Sequence, residues 1–136
     1  IFDALGSLDE LMAALGLMRS ACGPSPAADW LESLQRDVLE IGAEMADGTS
    51  RLKESAVARI AAETKRLEAT RPPARSFVLP GASEISARAH LARTICRRAE
   101  RDLVRAKDHH SARVTPLALA YLNRLSGLLF ALARSE

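Results

Sequence analysis

The sequence predicts an all-α fold, a five-helix up-and-down bundle, on three observations. Helix formers dominate, with 25 Ala and 20 Leu against 15 Val, Ile and Thr together and five aromatic residues. That balance disfavours all-β and doubly wound architectures. Apolar residues recur every three or four positions through five stretches, the spacing that lines one face of a helix. Breaking clusters separate the stretches, among them Cys22-Gly23-Pro24, Asp47-Gly48, Pro72-Pro73 and Asp108-His109-His110-Ser111. A chain of 136 residues, 48% apolar, suffices for one core and is short for two. Residues 1–136 are therefore read as a single domain.

The first helix is expected from about Leu8 to Ala21, opened by a capping box of Ser7 and Glu10. Leu8, Leu11, Met12, Leu15 and Met18 form its apolar face. The second follows Ser25-Pro26 and runs from about Ala27 to Met45, with Leu31, Leu34, Val38, Ile41 and Met45 in period. Gly48 suits its C-terminal turn, and Trp30 reads as a core anchor. The third covers roughly Lys53 to Thr70, with Val57, Ile60, Ala61, Thr64 and Leu67 on one face. Pro72-Pro73 forbids its continuation. Arg71 to Pro80 is the clearly non-helical segment, and Phe77-Val78-Leu79 within it reads as apolar and extended.

The fourth helix starts from the cap Ser83 and reaches about Lys107. Ile85, Ala89, Ala92, Cys96, Ala99 and Leu103 make a heptad-like seam along it, small enough for a neighbouring helix to approach closely. The fifth opens with Thr115 as cap and Pro116 in the first turn. It carries Leu117, Tyr121, Leu125, Leu128 and Leu132.

The longest unbroken apolar runs, such as Leu128 to Ala133, fall far short of the roughly 20 residues that cross a bilayer, so no membrane partner is expected. The chain opens at Ile1 with no basic n-region ahead of an apolar stretch, and no retained signal peptide is expected. Cys22 and Cys96 form neither a CxxC pair nor a disulfide framework, which fits a reducing, cytoplasmic setting.

Net charge is +2 but unevenly spread. Residues 1–71 carry 8 basic and 12 acidic side chains, residues 72–136 carry 11 and 5, and 16 of the 19 basic residues are Arg. Arg suits forked recognition of phosphate or carboxylate. An anionic partner near the second half is expected, against the alternative of a solvated basic face.

The unusual element is the fourth helix. Arg93, Arg97 and Arg101 are each four residues apart, so successive members turn by about 40° and rise about 6 Å. Arg98 and Glu100 flank them. Three guanidiniums on one strip repel each other unless neutralised. Either acids such as Asp9, Glu10, Glu32 or Glu40 pair with them, or the strip cradles a polyphosphate through bidentate contacts. Nucleic acid is disfavoured, because no aromatic residue interleaves the strip and the overall charge is nearly balanced. His109 and His110 merely suit a helix C-terminal dipole. His90 lies one turn before Arg93, and Cys96 reads as a buried small hydrophobe. No Gly-rich phosphate loop, HExxH or nucleophile elbow occurs in these residues.

Phe77-Val78-Leu79-Pro80-Gly81, His90-Leu91-Ala92-Arg93 and Cys96-Arg97-Arg98-Ala99-Glu100-Arg101 resemble the signature of PduO-type corrinoid adenosyltransferases. Leu122-Asn123-Arg124-Leu125-Ser126 followed by Leu128-Leu129-Phe130 resembles that family's last helix. Leu5-Gly6-Ser7-Leu8-Asp9-Glu10-Leu11 resembles its first. The matches run from one end of the chain to the other in the family's order.

The resemblance implies a five-helix bundle that assembles as a homotrimer with active sites at subunit interfaces. It implies transfer of the 5′-deoxyadenosyl group of ATP to the cobalt of reduced cobalamin, with release of triphosphate. Cob(I)alamin would attack the ribose C5′, so the enzyme must hold its electrophile in line and stabilise a charged leaving group. Carried over by position, Arg97, Arg98, Glu100, Arg101 and Asn123 would bind ATP, with Mg²⁺ entering through the nucleotide and no protein ligand assigned to it. Arg97, Arg93 and Asp9 would be the catalytic set, and Arg97 the direct phosphate contact. Asp9 and Arg93 would form a salt bridge across the subunit interface on the cobalamin side. Phe77 would press on the lower face of the corrin ring; its alternative role is to staple its loop to the bundle. A reductase and an adenosylcobalamin-dependent client enzyme are implied as further partners.

Departures from the pattern are also legible. The family's N-terminal ATP loop, roughly Thr-Gly-Asp-x-Gly-x-Thr, is not among these residues; it is expected to precede Ile1 or to have been lost. Met12 stands where the family shows Asn, Gly127 where it shows Asp, and Ala82 where a second Gly follows Pro80. Two other readings stay open: a non-catalytic corrinoid carrier on the same fold, and a structural bundle whose arginine strip is neutralised by interface acids.

Overall fold

In the computed structural model, residues 1–70 and 79–134 are described. They form α1 (Phe2–Cys22), α2 (Pro26–Asp47), α3 (Glu54–Ala69), α4 (Glu84–Lys107) and α5 (Pro116–Arg134), with a 3₁₀ turn at Ser111–Arg113. No strand occurs among them. Three helices start as their sequences predict. The side-chain oxygens of Ser25, Ser83 and Thr115 accept from the backbone N–H groups of Ala28, Ser86 and Ala118, each at 3.1 Å, satisfying donors that the first turn leaves open.

Helix α2 ends at Gly48, whose φ of 76° is left-handed and whose N–H donates to the Glu44 carbonyl at 2.7 Å. The Arg113 guanidinium completes that end, donating to the carbonyls of Met45 (3.1 Å) and Ala46 (2.7 Å). A Cβ at position 48 would come within 3.2 Å of Arg113 Nε. The 3₁₀ turn that carries Arg113 is not signalled by any apolar period.

Helix α1 begins at Phe2, not near Leu8. Ser7 is not a cap. It lies buried in the second turn of a continuous helix, and its Oγ donates to Asp102 Oδ2 at 2.5 Å. The Ser-x-x-Glu spacing therefore arises within the helix by chance. On α3 the buried stripe is Ala56, Ile60 and Leu67, while Ala61 is exposed; α3 packs chiefly on α5, and a narrow contact needs only a narrow face. Trp30 is half-buried at the rim of the core, not an enclosed anchor.

Helix α1 lies between α2 and α4, and α5 between α4 and α3. Neighbours run antiparallel where side chains tie them. Ser7 meets Asp102 and Arg88 reaches the Leu17 carbonyl, so α1 and α4 oppose. Ser86 donates to the Ala133 carbonyl and Asn123 to Glu100, so α4 and α5 oppose. Asp37 of α2 closes the ring by accepting from Arg59 of α3 at 2.7 Å and from the buried Tyr121 hydroxyl of α5 at 2.8 Å. Tyr121 is fully buried, and burial followed by the nearby Asp37 carboxylate pushes its phenol pKa up.

The α4 seam is buried as expected at Ala89, Ala92, Cys96, Ala99 and Leu103, with Ile85 half-buried. Unforeseen is Glu44, only 2% exposed. Its carboxylate accepts from the N–H groups of Arg51 (2.7 Å) and Leu52 (2.6 Å) and from the Thr115 hydroxyl (3.3 Å). It thereby ties the α2–α3 connection to the start of α5. Helix α5 has the length and composition of a bilayer-crossing segment, unlike any unbroken apolar run in the sequence. Nine of its residues are buried within the bundle, which accounts for that apolarity.

Candidate active site on the α4–α5 groove

Helix α4 meets α5 through its small seam, where the Cys96 thiol donates to the Leu122 carbonyl at 3.3 Å. One turn further, Asn123 Nδ2 donates to Glu100 Oε2 at 3.2 Å. Glu100 thus stands on the α5 side of α4. By helical spacing position 93 lies on the same flank, about 20° from Glu100, whereas 97 is about 60° and 101 about 100° round the helix, so the strip winds from the groove onto the outer face of α4. Arg97 and Arg101 are exposed, Arg93 and Glu100 half-buried, and Asn123 exposed. Burial raises the Cys96 thiol pKa, Glu100 raises it further and Arg97 lowers it. Both charges therefore act on the seam from the groove.

Arg98 occupies the opposite shoulder of α4, and its guanidinium pairs with Glu10 of α1. The five residues expected to bind nucleotide are therefore split. Glu100 and Asn123 meet on the α4–α5 side with Arg97 at its edge, Arg101 lies on the exposed outer face, and Arg98 is engaged toward α1. Glu32, another acid considered for the strip, pairs instead with Arg19 at 2.6 Å and Arg36 at 3.7 Å. Among the described residues, Arg93, Arg97 and Arg101 form no ion pair, and neither do Asp9 or Glu40. Among the described residues the strip is not neutralised by an ion pair.

Asp9 is exposed on α1 and unpaired with Arg93 inside the chain. Phe77 lies outside the described residues, as does most of the non-helical segment that carries it. Between α3 and α5, a separate cleft of about 300 Å³ is lined by Thr64, Lys65, Glu68, Asn123, Arg124 and Gly127. A Cβ at Gly127 would meet nothing within 4 Å, so the surface is open there. An apolar cleft of about 510 Å³ lies at the end of the bundle where α4 begins, between Met18, Cys22, Trp30, Leu31, Leu67, Ile85 and Leu132. No group of three or more His, Cys, Asp or Glu side chains that could cage a metal occurs among the described residues.

Sequence reasoning placed His90 near the strip without giving it a role. In the structure it is buried (4% exposed), with its ring edge-on to Phe130 at 6.4 Å between centroids. Its i, i+3 spacing to Arg93 was the available signal; the involvement of Phe130 was not, because it depends on how α5 docks.

The chain as a whole resembles known proteins. The family model described as cobalamin adenosyltransferase matches residues 1–136. A corrinoid adenosyltransferase PduO from Citrobacter freundii is 38% identical over 98% of this chain and 42% of its own length. A cobalamin adenosyltransferase from Cupriavidus metallidurans is 38% identical over 96% of this chain and 71% of its own. The chain thus spans about two fifths of the length of the PduO relatives it matches. In structure it resembles a variant PduO-type ATP:corrinoid adenosyltransferase from Lactobacillus reuteri, complexed with cobalamin and ATP. That match has a TM-score of 0.88 and 28% identity, over 97% of this chain and 77% of the other. A second variant of the same protein, complexed with ATP, gives 0.84 over 97% and 78% at 28% identity.

Proposed function

Because the chain belongs to the cobalamin adenosyltransferase family, we propose that it transfers the 5′-deoxyadenosyl group of ATP to the cobalt of reduced cobalamin. A cobalt–carbon bond forms at the ribose C5′ while the C5′–oxygen bond breaks, and the electron pair leaves on triphosphate. The observation that carries this reading is the arginine strip. Arg93 and Arg97 flank the Glu100–Asn123 contact and Arg101 follows on the outer face of α4, and among the described residues none of the three forms an ion pair. Unpaired guanidiniums in a groove are suited to charge that grows on a leaving phosphate chain.

In this reading Arg97 contacts the phosphates directly, with Arg101 beside it. Glu100 and Asn123 hold the nucleotide, and Arg98 reaches it only by giving up Glu10. Mg²⁺ arrives on the phosphates, consistent with a groove that presents one carboxylate. Arg93 meets Asp9 of a neighbouring copy on the cobalamin side, and Phe77 faces the corrin. Assembly as a cytoplasmic homotrimer, supply of electrons by a reductase and delivery to a client enzyme belong to the same proposal.

The test uses the protein with Mg²⁺, ATP and chemically reduced cobalamin. Formation of adenosylcobalamin, followed by absorbance, is the expected result. Absence of turnover in the full-length protein would remove the enzyme claim.

A further inference from the structure

Three buried side-chain nitrogens among the described residues lack a hydrogen-bond partner, and all lie within one turn of α4: Nδ1 and Nε2 of His90 and Nε of Arg93. Buried polar groups are nearly always partnered, so exceptions call for an explanation. Leaving them open destabilises the fold, and such costs persist mainly where function requires the group.

The surroundings define what the pair can do. Phe130 of α5 meets the His90 ring edge-on, with an interplanar angle of 68°, and the Arg134 guanidinium lies 5.8 Å from the Phe130 centroid. Burial, and after it the Arg93 cation, hold the imidazole below its ordinary pKa of 6.5. The ring therefore offers one N–H donor and one acceptor. Arg93 links this interior to the surface, since its Nε is buried while the residue as a whole is half-exposed. Its stem leaves the α4–α5 seam between His90 and Arg97.

We propose that His90 is a positioning residue for Arg93: wedged against Phe130, the imidazole fixes where the Arg93 stem leaves the seam and keeps its N–H for an anionic oxygen that docks with Arg93. This rests on the adenosyltransferase reading. The oxygen belongs either to the substrates or to a carboxylate of a second copy of the chain, and the experiment separates the two.

The wild type, His90→Leu and His90→Asn are compared for melting temperature, steady-state kinetics with ATP and reduced cobalamin, and sedimentation. Leucine has nearly the volume of histidine and leaves no nitrogen unpartnered. His90→Leu is expected to melt about 3 °C or more above wild type while turnover falls about tenfold or more, as a displaced positioning group predicts. His90→Asn, which keeps a donor, recovers much of the turnover. A raised KM for cobalamin or ATP assigns the oxygen to that substrate, whereas a loosened assembly assigns it to the neighbouring copy. Wild-type turnover in His90→Leu overturns the proposal, and so does a melting temperature at or below that of wild type. An inactive full-length wild type instead removes the adenosyltransferase reading, and the melting comparison alone then decides whether His90 is held at a cost.

Discussion

Asn123 on α5 donates to Glu100 on α4 at 3.2 Å, so the two helices are clasped at the middle of the groove where Arg97 stands. Because Asn123 is exposed, this bond contributes at most about 1 kcal/mol to folding. Asn123→Ala is therefore expected to leave the melting temperature within a few degrees of wild type while weakening ATP binding. Calorimetric titration with Mg²⁺ and ATP checks it; unchanged affinity would make the clasp purely structural.

Arg97→Ala separates phosphate recognition from folding more sharply. The side chain is exposed and unpaired among the described residues, so its loss leaves no buried charge behind. Stability should change by less than about 0.5 kcal/mol. Turnover should fall by roughly 10²–10³, about 3–4 kcal/mol of transition-state stabilisation. A variant that loses its fold instead of its rate would assign Arg97 to structure.

Glu44 behaves in the opposite way. Two backbone N–H groups and one hydroxyl converge on its buried carboxylate. Glu44→Ala strands those donors and is expected to cost about 3 kcal/mol, read as a lower urea midpoint. The KM for ATP in protein that remains folded should stay near wild type, since Glu44 holds the α2–α3 connection and not the groove.

The two cysteines should differ in reactivity. Cys96 is fully buried and its thiol pKa is raised by burial, whereas Cys22 is half-buried at the rim of the apolar cleft. The thiolate is the reacting species. Iodoacetamide at pH 8 should add one label per native chain, at Cys22, and a second only after denaturation, as intact and peptide masses will report.

Helix positions were legible where periodicity and caps agreed. Ser25, Ser83 and Thr115 cap as their local sequences imply, and the Ala89-to-Leu103 seam is buried because its spacing allows no other face. The start of α1 was misplaced because a four-residue capping pattern cannot be told from the same residues inside a continuous helix. Only the arrival of Asp102 from α4 reveals Ser7 as a mid-helix donor. The arginine strip was legible as a cluster, but its division was not. Arg97 and Arg98 are adjacent in sequence, and which one is engaged depends on Glu10 of α1 lying against one shoulder of α4. Glu44 and His90 were missed as buried polar groups for the same reason, since their partners or neighbours come from distant parts of the chain.

The Ala92, Cys96 and Ala99 side chains along α4 carry one further consequence. These small side chains let the middle of α4 approach the α5 backbone, as the Cys96 thiol's contact with the Leu122 carbonyl at 3.3 Å shows, and the reach from Arg97 across to Asn123 inherits that spacing. A single β-branched residue there, such as Ala99→Val, would act as a shim far from any substrate. It would spread the two rods and pull the guanidiniums out of register with the amide, altering recognition without changing any group that performs it.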